Sequence, residues 1–118
     1  VLLHAEHSVV RWKPDRVEHQ LARLQRIADE ALRQSRRVQR MTVDAPVAAT
    51  DVLARFVVAE PGGRPIRGGD TAVAVGPEGG WSASELAVCR DRIDLGPTIL
   101  RTETAAVAVS TLCVASER

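Results

Sequence analysis

Two stretches of this chain carry residues whose types and spacing suit ligand chemistry. The first is Gly76-Pro77-Glu78-Gly79-Gly80. Glycines let a backbone turn sharply and approach a ligand closely, and Pro77 stiffens the turn by fixing one φ. Such a turn between a strand and a helix is how α/β proteins offer backbone amides to a ligand. It is also how an ordinary tight βα turn is built, so the stretch alone does not choose between the two. The second stretch is Leu95-Gly96-Pro97-Thr98-Ile99-Leu100-Arg101-Thr102-Glu103-Thr104-Ala105, a glycine turn that opens into a dense polar cluster. Taken singly, Thr102 suits a helix cap, Glu103 favours the positive end of a helix, and Arg101 suits a surface charge. A P-loop is excluded, because the first stretch lacks the terminal Lys-Ser/Thr pair.

The elements around these stretches alternate in type. Thr71 to Val75 reads as a buried strand entering the first turn. Ser82 and Glu85 follow it with capping-box spacing, which predicts a helix from about Ala83 to Asp91. Arg92 to Leu95 is a short strand, Thr98 to Leu100 a short extended stretch, and Thr102 to Ala115 a final helix. Upstream, Val1 to Leu3 reads as the end of a strand and His4 to Lys13 as an irregular connection. Pro14 then opens a helix to about Ser35, with Val17, Leu21, Leu24, Ala28 and Ala31 forming one apolar stripe. Arg40 to Val43 is a strand candidate, Ala45 to Thr50 a connection, and Asp51 to Arg55 a helical turn. Phe56 to Ala59 is an apolar run of buried-strand type, expected to break at Pro61-Gly62-Gly63. This order implies an α/β fold with a mostly parallel sheet and helices on both faces.

Composition sets bounds. A chain of 118 residues with 45% hydrophobic content suits one globular domain with a modest core. Aromatic residues are only 3%, so aliphatic side chains must fill that core. The formal net charge of +1 does not by itself point to nucleic acid, but Arg16, Arg23, Arg26, Arg33, Arg36 and Arg37 gather positive charge between Arg11 and Arg40. A solvated helix face would also account for them. Cys89 and Cys113 lack metal-type spacing, and two isolated cysteines fit a cytoplasmic protein. No apolar run reaches transmembrane length and no signal peptide is visible.

Together the two stretches resemble a specific family. Gly76 to Gly80 with Ser82 and Glu85, then Leu95-Gly96 and Leu100-Arg101-Thr102-Glu103-Thr104-Ala105, resemble the SPOUT RNA methyltransferases, and in detail the ribosomal small-subunit methyltransferase E family. Ser8-Val9-Val10-Arg11-Trp12 is similar to that family's stretch before its long helix, and Glu30-Ala31, Gln34-Ser35 and Arg37 to its helix-end signature. Met41 stands where the family pattern has proline.

The resemblance implies methylation of N3 of a uridine in 16S ribosomal RNA of the small subunit, with S-adenosylmethionine as donor. It implies a SPOUT α/β knot, with Leu95 to Ala115 threaded into a C-terminal trefoil. The family's first strand and helix, and its N-terminal PUA-like RNA-binding domain, are expected to be absent from this chain, which begins at Val1. Implied cofactor contacts come from Glu60, Val75, Gly76, Pro77, Glu78, Gly79, Gly80, Leu95, Gly96, Ile99, Leu100, Thr102 and Ala105. Arg37, Arg101, Glu103 and Thr104 are the catalytic candidates. Arg11, Gln34, Ser35, Arg36 and Arg37 are the RNA-binding candidates. A two-fold homodimer is expected, since the last helix is apolar on more than one side. No metal is needed, because a sulfonium already makes its methyl group electrophilic. Two other readings stay open on the residues alone: a SPOUT enzyme acting on another base or a ribose 2′-hydroxyl, and a noncatalytic RNA-binding or dimerisation module.

Overall fold

The computed structural model describes residues 1–8, 12–96 and 100–116, and the chain divides into two units. The first unit comprises Val1–His4 and Val10–Val47. Its strand β1 (Leu3–His4) pairs with β2 (Val47–Ala48), and Val47 N donates to Leu2 O at 3.0 Å. Its main element is α1 (Val17–Ser35), entered through a 3-10 turn at Pro14–Arg16 where proline's missing N–H costs nothing. Ala28, at the middle of the expected stripe, is the one described residue of this unit that is buried. The helix stops where Arg36 turns left-handed (φ 56°) and Arg37 N reaches back to Leu32 O.

Residues 40–43 do not form the expected strand. They are tied along α1 by side chains instead. Gln25 donates to Met41 O and accepts from Val43 N, while Asp29 takes two hydrogen bonds from Arg40 at 2.9 Å each. Side-chain bonds to a helix have replaced a sheet ladder, and strand propensity could not reveal that competition.

The second unit comprises Ala5–Val9 and Ala48–Arg118. After a short helix α2 (Ala49–Val52) and a 3-10 turn (Leu53–Arg55) come β3 (Val57–Arg64), β4 (Val73–Ala74), α3 (Ala83–Val88), β5 (Asp91–Ile93) and α4 (Thr102–Ser116). The strands form one sheet in the order β4-β3-β5, with β3 parallel to both neighbours. Leu53, Val58 and Ile93 are fully buried at its centre, with Ala49, Ala74, Ala105 and Val109 around them. This is the mixed α/β architecture with parallel strands that the element order implies.

β3 continues through Pro61-Gly62-Gly63, where a break was expected. Ala59 and Arg64 both register against Ile93, so Glu60 to Gly63 bulge outward and pairing resumes at Arg64. Pro61 needs no ladder donor inside a bulge. Gly63 packs so tightly that a Cβ there would lie 2.7 Å from the backbone of Arg92 and Ile93. Arg64 locks the return: it donates to Asp91 at 2.6 Å and to Asp70 at 2.8 Å. Those bonds hold the Asp70 carboxyl down at about 2 and lower that of Asp91. No helix among the described residues is long and apolar enough to cross a membrane.

Candidate cofactor cleft

The bulge of β3 and the carboxyl ends of β4 and β5 open into a cleft of about 410 Å³ within the second unit. Ligands of open α/β sheets bind at this end of the strands. Three loops and the start of α4 form its walls. The bulge within β3 supplies Ala59, Glu60 and Pro61; after β4 come Val75 to Trp81; after β5, Asp94 to Gly96; Leu100, Thr102 and Ala105 complete it.

Hydrogen bonds fix these loops against one another. Buried Trp81 donates its indole N–H to Ala59 O at 3.1 Å, joining the second loop to the first. Thr102 donates its hydroxyl to Gly76 O at 2.9 Å, joining α4 to the second loop. Within the turn Gly80 N donates to Pro77 O at 2.9 Å, and Gly80 takes φ 77°. Gly76 lies against the Trp81 ring, where a Cβ would come within 2.8 Å of Cε2. Gly79 lies against His7, and His7 Nδ1 sits 3.0 Å from Gly79 O, a pairing that puts the ring proton on Nδ1. The capping box is formed: Glu85 N donates to Ser82 Oγ and Ser82 N to Glu85 Oε1. Buried Glu85 also accepts from Glu6 N at 2.9 Å, which seats residues 5–8 beside the turn.

The described lining includes three carboxylates, Glu60, Glu78 and Asp94, and no Lys, Arg or His. Such a cleft disfavours phosphates and favours a cation among apolar and backbone groups. Among the described residues no group of His, Cys, Asp and Glu is placed to hold a metal ion.

A family model for the RNA methyltransferase domain matches residues 1–114. The chain belongs to this family. Ribosomal RNA small subunit methyltransferase E of Mycobacterium bovis and of Mycobacterium tuberculosis are each 31% identical to it over 136 residues, covering 97% of this chain and 52% of the relative. A methyltransferase of Legionella pneumophila, solved with its cofactor S-adenosylmethionine bound, superposes with a TM-score of 0.86 at 25% identity over 96% of this chain and 53% of its own. Ribosomal RNA small subunit methyltransferase E of Neisseria gonorrhoeae, bound to S-adenosylmethionine, gives 0.76 at 27% identity over 95% and 53%. The resemblance drawn from the two glycine stretches is thereby borne out at family level. The chain spans about half the length of the curated relatives it matches.

Within this RNA methyltransferase domain, every described residue of the expected cofactor set lines the cleft; Ile99 lies outside the described residues. Ala59 and Pro61, on either side of the expected Glu60, also line it, as do Trp81 and Asp94, which were not anticipated. Asp94 directly precedes Leu95-Gly96, and Trp81 directly follows the glycine turn, so adjacency was the available signal. Arg101, Glu103 and Thr104 stand exposed at the start of α4 and are not among the lining residues. Arg37 belongs to the first unit, exposed just past α1. Gln34 and Ser35 are exposed in the last turn of α1, Arg36 is its left-handed cap, and Arg11 lies outside the described residues.

Proposed function

We propose that this chain binds S-adenosylmethionine in the cleft formed by the bulge of β3 and the carboxyl ends of β4 and β5, and methylates N3 of a uridine in 16S ribosomal RNA of the small subunit. The carrying observation is a cleft of about 410 Å³ whose described lining has three carboxylates and no basic side chain. That volume suits a nucleoside-sized ligand. The charge suits one with a sulfonium and an ammonium group. The cradle suits it too: added Cβ atoms at Gly80 and Gly96 would meet nothing within 4 Å, leaving open space beside the backbone of both turns.

When bound, S-adenosylmethionine supplies an electrophilic methyl group. The chain's own part is to hold and align. Backbone groups around Gly76 to Gly80 and Leu95 to Leu100 hold the adenine edge, and Glu60 and Glu78 face the positive end. Alignment of the uridine nitrogen with the methyl carbon provides much of the rate gain. Arg101 at the start of α4 stabilises the anion that develops as N3 loses its proton, and Arg37 holds a phosphate of the RNA. Glu103 and Thr104 help to position the base, and Gln34, Ser35 and Arg36 contact RNA alongside Arg37 and Arg11. The same reading carries the trefoil knot of Leu95 to Ala115 and a two-fold homodimer through α4.

The test is methyl transfer from labelled S-adenosylmethionine to small subunits lacking the modification, followed by mapping of the methyl group. Label on a uridine N3 of 16S RNA is expected. Label on a ribose hydroxyl or another base would overturn the assignment.

A further inference from the structure

Asp94 follows β5 and lines the cleft, yet its carboxylate is spent on backbone. One oxygen, Oδ2, accepts from Gly62 N at 3.1 Å; the other, Oδ1, accepts from Gly96 N at 2.9 Å. Gly62 belongs to the bulge of β3, and Gly96 to the loop after β5. Both glycines take positive φ, 87° and 122°, a region that leaves the peptide orientation to be set by its hydrogen bonds. The two glycines are 34 residues apart in sequence, and one side chain joins them.

Asp94 is itself held from behind. Its backbone N–H donates to Arg64 O at 2.8 Å. Arg64 is in turn fixed by Asp70 and Asp91. A rigid relay therefore runs from the Arg64 ion pairs, through the Asp94 main chain, to a carboxylate that sets the distance between two walls of the cleft. The Trp81 bond to Ala59 and the Thr102 bond to Gly76 join the remaining walls.

We propose that Asp94 is a positioning residue: its carboxylate clamps the Gly62 and Gly96 loops at the separation that S-adenosylmethionine requires. This rests on reading the cleft as the S-adenosylmethionine site. A charge-assisted hydrogen bond to backbone contributes enough that losing both should weaken binding roughly ten- to a hundredfold.

The experiment compares wild type, Asp94→Ala and Asp94→Asn in two readouts. Calorimetry with S-adenosylmethionine gives affinity. Amide hydrogen exchange at Gly62 and Gly96, without ligand, gives the clamp itself. In Asp94→Ala both amides should exchange faster and affinity should fall by at least roughly tenfold. Asparagine keeps one carbonyl oxygen, so Asp94→Asn should protect one glycine amide and lose less affinity than alanine. Equal losses in Asn and Ala would mean that Asp94 acts by charge, and unchanged affinity in Ala would mean that it does not act; either overturns the clamp. If wild type itself shows no binding, the cofactor reading fails. The clamp is then judged on exchange alone, supported by faster exchange at both glycines and overturned by none.

Discussion

Replacing Gly76 by alanine should damage the cleft through Trp81. Gly76 is not among the positive-φ glycines, so alanine meets no backbone strain, and by itself it would stabilise by about 0.4–1 kcal/mol through the unfolded state. The side chain is the problem. A Cβ at Gly76 would lie 2.8 Å from Trp81 Cε2 and 3.0 Å from Nε1, so the indole must move about 0.6 Å to restore an ordinary 3.4 Å contact. Trp81 is only 8% exposed and donates to Ala59 O at 3.1 Å, so there is little room to move without disturbing that bond. Overpacking costs about 1–3 kcal/mol, and a weakened hydrogen bond about 1 kcal/mol more. Net of the entropic gain, Gly76→Ala should lose roughly 2 kcal/mol, a fall of about 6–12 °C in Tm for a domain of this size. S-adenosylmethionine affinity should fall with it. Thermal unfolding of Gly76→Ala, Trp81→Phe and the double variant isolates the cause. The smaller ring relieves the clash, so the two substitutions should be coupled by about 1 kcal/mol or more. A wild-type Tm for Gly76→Ala, or strictly additive losses, would refute the reasoning.

Three further outcomes are expected. Asp70 has a folded pKa of about 2 against an ordinary 3.8, so its contribution is fully present above about pH 4 and lost as pH falls toward 2; urea midpoints of wild type should drop more steeply on acidification than those of Asp70→Asn, and equal slopes would contradict this. Gly63→Ala should cost about 3 kcal/mol or more, because its Cβ would sit 2.7 Å from backbone atoms that cannot rotate away; circular dichroism and urea melts would show it, and a native-like midpoint would exclude the bulge as described. α4 leaves Val107 69% and Val114 48% exposed, so light scattering should find a dimer at micromolar concentration that Val107→Asp converts to monomer, whereas a monomeric wild type would rule out this face as an interface.

The cleft was legible in the sequence because its walls are short contiguous segments with strong local signals. Gly76 to Gly80, Ser82 with Glu85, and Leu95 with Gly96 each announce a turn or a cap within a few residues. The bulge of β3 was not legible. Its cause is non-local: Gly63 must fit the backbone of Arg92 and Ile93, and Arg64 must meet Asp70 and Asp91. Read locally, Pro61-Gly62-Gly63 can only signal a break. The strand expected at residues 40–43 failed for a related reason, since Gln25 and Asp29 of α1 capture that segment's polar groups. Asp94 and Trp81 escaped notice because their partners, Gly62, Gly96 and Ala59, are set by sheet register rather than by spacing. Catalytic assignment is the least local matter of all: Arg37 and Arg101 lie in different units, and no periodicity connects them.

The most direct measurement is calorimetric titration of this chain with S-adenosylmethionine, run beside ATP. The cleft's three carboxylates and absence of basic side chains among its described lining predict saturable heat at one site per chain for S-adenosylmethionine and none for the triphosphate. No saturable heat with S-adenosylmethionine, or binding of ATP with comparable affinity, would contradict the reading of this cleft as a methyl-donor site.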